Sequence, residues 1–336
     1  MKTPKHILVI RLSAMGDVAM TVPVLSAFTQ QHPNVKITFL TREFFSPFFR
    51  DLKNVTVYSI DLKGKHKGVF GLYKLSKELK KLQIDAVADL HNVLRTKILK
   101  AFFFGIPFVQ INKGRAEKKA LISGKVFKQL KSTHERYADV FKVLGLPIDL
   151  TKPTFSEKIS LPKKMLSITG EKTKKWIGIA PFATYKSKMY PLEAMQIVIE
   201  ALSKKHTIFL FGGKQDIPEL QRLERNSNVI NLAGQLSLNE ELDVISNLDV
   251  MLSMDSGNAH LAAMLGKKAV TIWGVTHPFA GFYPFNQPEN YALLADRKQY
   301  PLIPTSIYGN KFPEGYENAA KSISTQKIID LINTIL

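Results

Sequence analysis

At 336 residues and 45% apolar content, the chain is long enough for two ordinary domains and too apolar to be disordered. It has no cysteine, which excludes a disulfide framework, a thiolate zinc site and a cysteine nucleophile. The formal charge of +19 is uneven, with 26 Lys+Arg against 11 Asp+Glu in residues 1–150 and 21 against 17 in residues 151–336. Such an asymmetry either prepares the first half for nucleic acid, a bilayer surface or a phosphorylated substrate, or marks a lysine-rich solvated face.

The chain opens with an apolar run over residues 7–10 that Arg11 ends, too short for the core of a signal peptide. No stretch approaches the ~18 apolar residues of a membrane span. The expectation is a cytoplasmic protein, at most peripheral on a membrane. Strands are predicted over residues 6–12, 36–40, 55–60, 86–89 and 108–111. Helical patterns lie between and after them, over 18–30, 69–81, 94–103 and 135–144. This alternation predicts a parallel sheet with helices on both faces.

The first chemically suggestive turn, RLSAMGD, follows the first strand. Gly16 permits close approach of backbone to a ligand. Asp17 stands at a helix start, where a carboxylate either acts as a general base or caps the helix. The spacing G-x-G-x-x-G is absent, so a nicotinamide fingerprint is not supported.

Residues 151–175, rich in lysine and broken by Pro153, Pro162 and Gly170, read as a linker and edge segment. A second alternating unit follows, with strands over 176–180, 207–211, 229–232, 250–253 and 269–273. Its helices fall over 192–203, 218–225, 239–246 and 258–265. The expected domains are residues 1–155 and 176–320, with 156–175 between them. A terminal helix over 321–336 could pack back on the N-terminal domain.

Three strand ends of this second unit draw notice. The loop after residue 180 holds Thr184 and Lys188, suited to phosphate oxygens or simply solvated. The turn Phe211-Gly212-Gly213 could let a flat base lie on the backbone, with Asp216 or Glu219 accepting from ribose hydroxyls; a plain turn is the alternative. In Asp255-Ser256-Gly257, free helix N–H groups favour a phosphate, or Asp255 or Ser256 is an N-cap. His260, one turn on, is a ligand contact or a buried core histidine. There is no D-x-D pair and no H-E-x-x-H, so no metal site is expected.

These elements in this order resemble glycosyltransferase family 9, the ADP-heptose:lipopolysaccharide heptosyltransferases. The likeness runs through ILVIRLSAMGDVAMTVPVLSAF, IGIAPFATYKSKMYP, FLFGG, LAGQLSLNE and DVMLSMDSGNAHLAAMLGKKAVTIWGVTHP, nearly the whole chain. It implies a GT-B fold: two Rossmann-like, doubly wound α/β domains facing a central cleft, with acceptor at the first and nucleotide sugar at the second. It also implies an inverting transfer that needs no metal and no cofactor beyond the ADP-heptose substrate. The base of the family falls on Asp17, and the donor-phosphate residues fall on Thr184, Lys188, Asp255, Ser256, Gly257 and His260. Gly212, Gly213 and Asp216 would meet the base and ribose. The implied acceptor is the phosphorylated lipopolysaccharide core, met with the anionic inner face of the inner membrane by Arg11, His91, Arg95, Lys113, Arg115, Lys118 and Lys119. Nucleic acid is not an expected partner. The second position of the Asp255 turn is often threonine in the family and is serine here, which keeps the hydroxyl. Some relatives carry cysteines near residues 303–311 and this chain has none, so the role of its tail (296–318) is open. The rival expectations are a transferase for another sugar, a sugar-nucleotide epimerase of the same fold, and a non-catalytic basic module for lipid or nucleic acid.

Overall fold

The structure, a computed structural model, describes residues 3–336. The chain divides into two compact units: residues up to Lys113 with Lys131–Phe155, and Gly114–Leu130 with Ser156–Leu336.

The first unit holds five parallel strands: β1 (His6–Ile10), β2 (Lys36–Thr41), β3 (Val55–Ser59), β4 (Ala86–Asp89) and β5 (Phe108–Gln110). Their order is β3-β2-β1-β4-β5, with Ile10 opposite both Leu40 and Asp89. Its helices are α1 (Met15–Ala19), α2 (Thr21–Gln31), α3 (Gly68–Lys80) and α4 (Leu94–Phe102). Then α5 (Arg115–Ile122) leaves for the second unit and α6 (Thr133–Val143) returns to the first. Ile7 to Ile10 are wholly buried, as expected of a strand covered on both faces, so the run reads as continuously apolar rather than alternating. α3 commits Leu72, Leu75 and Leu79 to the core, at the 3–4 residue spacing of one helix face, beside Leu99 and Phe103.

Besides α5, the second unit holds α7 (Lys163–Thr169) and a six-stranded parallel sheet. Its strands are β6 (Trp176–Ala180), β7 (Thr207–Leu210), β8 (Val229–Asn231), β9 (Val250–Met254), β10 (Lys268–Trp273) and β11 (Ala292–Leu294). Their order is β11-β10-β9-β6-β7-β8. The covering helices are α8 (Leu192–Ser203), α9 (Ile217–Leu223), α10 (Leu238–Asn247), α11 (Gly257–Met264) and α12 (Thr325–Ile335). No helix among the described residues is long and apolar enough to cross a membrane.

One placement differs from the sequence expectation. Residues 114–130 were read as part of the N-terminal domain, yet Leu121 and Leu130 share a cluster with Ala280, and the Leu130 N–H bonds the Phe279 carbonyl. The sequence leaves open that the terminal helix packs back on the N-terminal domain; Ile328 and Ile332 lie in the core of the second unit, where α12 packs on α8.

Each sheet reverses its winding once, between β1 and β4 and between β6 and β9. In open parallel sheets ligands sit beyond the carboxyl ends of strands at that reversal. The turns carrying Asp17 and His91 follow β1 and β4, and the turns carrying Lys188 and Asp255 follow β6 and β9.

Candidate functional site

In the first unit, α1 opens at Met15, three residues before the predicted start, with Ala14 as its N-cap. Asp17 is therefore the third helical residue and not the cap. Its Oδ2 accepts from the Ala14 N–H at 3.2 Å and from Arg11 Nη2 at 2.6 Å. Arg11 is buried and also donates through Nη1 to the Leu90 carbonyl at 2.8 Å, which joins the ends of β1 and β4. Tyr137 on α6 donates to the Asp17 carbonyl at 3.1 Å and so pins the backbone. The carboxylate keeps about a quarter of its surface (26%) open, enough for a hydroxyl to reach it.

His91, the other basic group at this reversal, is buried, and its Nδ1 accepts the Leu12 N–H at 3.4 Å. Burial first, then the charges of Arg11, Lys113 and Arg95, push it down to about 3, while Asp17 pulls the other way. The ring is neutral at physiological pH and no stronger a base than a carboxylate. Of the two groups at this reversal, the ring is buried and the Asp17 side chain is part open. The predicted basic set divides between the units: Arg11, Arg95 and Lys113 lie near enough to His91 for their charges to act on it. Arg95 is exposed on α4 and Lys113 follows β5, whereas Arg115, Lys118 and Lys119 stand on α5 in the second unit. Lys118 there lies 4.0 Å from the centre of the Phe282 ring.

In the second unit, Lys188 ends a 3₁₀ turn over Lys186–Lys188. Its Nζ pairs with Asp255 Oδ2 at 2.8 Å, and Thr276 donates to the same oxygen at 2.8 Å. Asp255 is thereby spent on Lys188 and Thr276 and does not cap α11. Ser256 occupies the N-cap position in extended backbone, but its hydroxyl meets Ser253 Oγ at 3.0 Å instead of a helix N–H. The first N–H groups of α11 therefore have no cap from either predicted side chain, which suits an oxygen-rich anion. Gly257 starts the helix, His260 lies buried one turn along, and Thr184 is exposed in the loop before Lys188. Asp216 curls back onto the Gly213 N–H at 2.8 Å, and Glu219 pairs with Arg222 at 3.0 Å, so both predicted ribose carboxylates have local partners. A cavity of about 740 Å³ runs along β11, lined by Phe127, His277, Arg297 and Lys327 among others, and none of the predicted site residues borders it.

Sequence reasoning missed three residues that hold Lys188. Thr276 shares its carboxylate. Gly274 packs so closely on the Ser187 carbonyl that a Cβ would collide with it. Gly309, at φ +80°, lies against the Lys188 stem, where a Cβ would fall 2.6 Å from Cγ. The tail that lacked a role thus buttresses the lysine, and Ser187 Oγ donates to the Gly309 carbonyl at 2.5 Å. Only the run of glycine and hydroxyl residues in 303–311 hinted at this. Gly309→Ala should displace the stem and add backbone strain, weakening the binding of a diphosphate anion at Lys188 about tenfold in titration calorimetry, since small misplacements of a charged contact are costly. An unchanged affinity would show that the stem tolerates the shift.

Residues 72–302 match the model of glycosyltransferase family 9 (heptosyltransferase), a span that includes all the donor residues named above and begins after Asp17. A lipopolysaccharide core heptosyltransferase of Haemophilus influenzae is 25% identical over 308 residues, covering 86% of this chain and 84% of the relative. Lipopolysaccharide heptosyltransferase 2 of Escherichia coli is 22% identical, with 98% of each chain aligned. Among solved structures, a family 9 glycosyltransferase of Veillonella parvula superposes with a TM-score of 0.78 at 20% identity, over 98% of this chain and 97% of that one. An E. coli heptosyltransferase solved with ADP gives 0.69 at 19% identity, over 98% of this chain and all (100%) of that one. These likenesses establish a GT-B-type fold of two parallel α/β sheets. With the family model matched over more than half of its length, the chain belongs to glycosyltransferase family 9, the heptosyltransferases.

Proposed function

We propose that the protein transfers a heptose from ADP-heptose to the inner core of lipopolysaccharide, by direct displacement at the anomeric carbon with inversion. The observation that carries this reading is the Lys188–Asp255–Thr276 constellation at the winding reversal of the second sheet, beside an uncapped helix start. In it Asp255 and Thr276 aim Lys188, and Lys188, Thr184 and the N–H groups at Ser256 and Gly257 meet the departing diphosphate. Asp17, fixed by Arg11 and Ala14, takes the proton of the acceptor hydroxyl as it attacks. Gly212 and Gly213, which follow β7, would meet the base, and His260 on α11 the phosphates; Asp216 would have to leave its turn to reach a ribose. Support for the sugar and the acceptor comes from relatives named as lipopolysaccharide heptosyltransferases and from an E. coli homologue solved with an ADP-2-deoxy-2-fluoro heptose. Such an enzyme would work in the cytoplasm at the inner face of the inner membrane, where its acceptor is displayed.

A donor panel tests the reading. ADP-heptose should bind at least about tenfold more tightly than UDP- or GDP-sugars, and turnover should survive EDTA, because lysine and helix N–H groups would meet the leaving charge. Tighter binding of a uridine donor, or loss of turnover restored only by magnesium, would overturn it.

A further inference from the structure

The two most exposed large apolar side chains in the described chain are Phe104, at 95%, and Phe70, at 90%, and they stand just beyond the end of α4 and on α3, two helices that pack together. Phe70 lies in the first turn of α3. One turn on, Tyr73 meets the Phe102 ring edge-on at 5.5 Å at the end of α4, and Phe104 follows two residues later. Neither phenylalanine contributes to the core, because α3 spends Leu72, Leu75 and Leu79 inward and the end of α4 spends Phe103. Val69 and Tyr73 extend the apolar surface, at 55% and 46% exposed. A solvated helix pair would carry polar residues at these positions.

Cations surround the rings. Residues 63–104 contain ten Lys+Arg and three Asp+Glu. Of the three acids, Asp89 is wholly buried, and Glu78 is taken up by Lys65 at 2.8 Å, Tyr58 at 2.6 Å and His66 at 3.2 Å. Lys74 and Lys77 continue the exposed stripe of α3 behind Phe70 and Tyr73, with Lys77 Nζ 4.6 Å from the Tyr73 ring centre. Lys97 and Lys100 do the same on α4 ahead of Phe104. Exposed aromatic rings on a helix pair, ringed by lysines whose stems can lie along them, match the chemistry of a bilayer interface with anionic headgroups.

We propose that the α3–α4 face is the membrane-docking surface of this chain, with Phe70 and Phe104 entering the headgroup–acyl boundary of an anionic bilayer and the flanking lysines meeting its phosphates. This is a different surface from the α5 lysines that the sequence suggested. It rests on the reading that the acceptor is lipid-borne, but docking requires neither donor nor turnover, so the two can fail separately.

The test is co-sedimentation of the full chain with vesicles of phosphatidylcholine alone and of phosphatidylcholine with phosphatidylglycerol at three to one. Phe70→Ser/Phe104→Ser is compared with Lys74→Glu/Lys77→Glu/Lys97→Glu and with wild type. Melting temperature and ADP binding serve as controls that each variant is folded. Wild type should bind the anionic vesicles and lose binding at high salt. The double phenylalanine variant should bind at least about tenfold more weakly from the lost burial of two rings. Each reversed lysine should cost about fivefold or more. The proposal fails if wild type ignores anionic vesicles at low salt, or if either folded variant binds them as well as wild type. It also fails if Phe70→Ser/Phe104→Ser merely converts a dimer to a monomer while vesicle binding is unchanged.

Discussion

Asp17→Asn should lower kcat by roughly 10²- to 10⁴-fold, the usual contribution of a positioned general base, while leaving donor affinity near normal. The structure adds a cost that must be separated from chemistry. The Asp17 carboxylate is also the charge partner of buried Arg11 at 2.6 Å and accepts the Ala14 N–H. An asparagine oxygen can accept from either donor but carries no charge, so a stability loss of about 1–3 kcal/mol is expected alongside the rate loss. Asp17→Ala removes both contacts and should be less stable still, yet no less active than Asp17→Asn once both are folded. If Asp17 is only a structural partner of Arg11, activity will instead follow the folded fraction, and Asp17→Asn at low temperature will turn over nearly as fast as wild type.

Lys188→Ala should weaken ADP-sugar binding by roughly 10- to 150-fold, corresponding to a charged hydrogen bond of about 1.5–3 kcal/mol. In the unliganded site Lys188 neutralises Asp255, so an alternative explanation of any loss is the bare carboxylate left beside a diphosphate. A double-mutant cycle with Asp255→Asn distinguishes them. If Lys188 grips phosphate directly, Lys188→Ala/Asp255→Asn stays weak. If its role is to neutralise Asp255, the second substitution restores most of the affinity. The direct reading predicts the first outcome.

Much of this was readable in the sequence, because buried parallel strands are short apolar runs and amphipathic helices between them repeat every three to four residues. Trp176–Ala180 and Leu192–Ser203 were predicted to the residue. Local pattern is weaker where burial is thin. α5 buries only Leu121 and so does not announce itself. Nothing local says that residues 114–130 join the second unit, since the contact with Phe279 spans about 150 positions of chain. The turns at Asp17 and Lys188 stood out because glycine, hydroxyl and charged residues cluster at strand ends. Thr276 and Gly309 did not, because Thr276 reaches Lys188 only through the shared Asp255 carboxylate and Gly309 packs on the lysine stem, both from distant segments. The helix start was placed at residue 18 for the same reason: the turn Ser13-Ala14-Met15-Gly16 conceals a five-residue helix beginning at Met15, which leaves Asp17 inside the first turn and excludes the capping alternative.

Incubating the wild-type protein with ADP-heptose and a heptose-deficient lipopolysaccharide core, and analysing both products by mass, decides whether the chain is a heptosyltransferase. Release of ADP with a matching gain of one heptose on the lipid acceptor is expected, with no ADP release beyond slow hydrolysis when acceptor is omitted. An isomerised donor, or ADP formed at the same rate with or without acceptor and no mass gained by the lipid, would contradict that assignment.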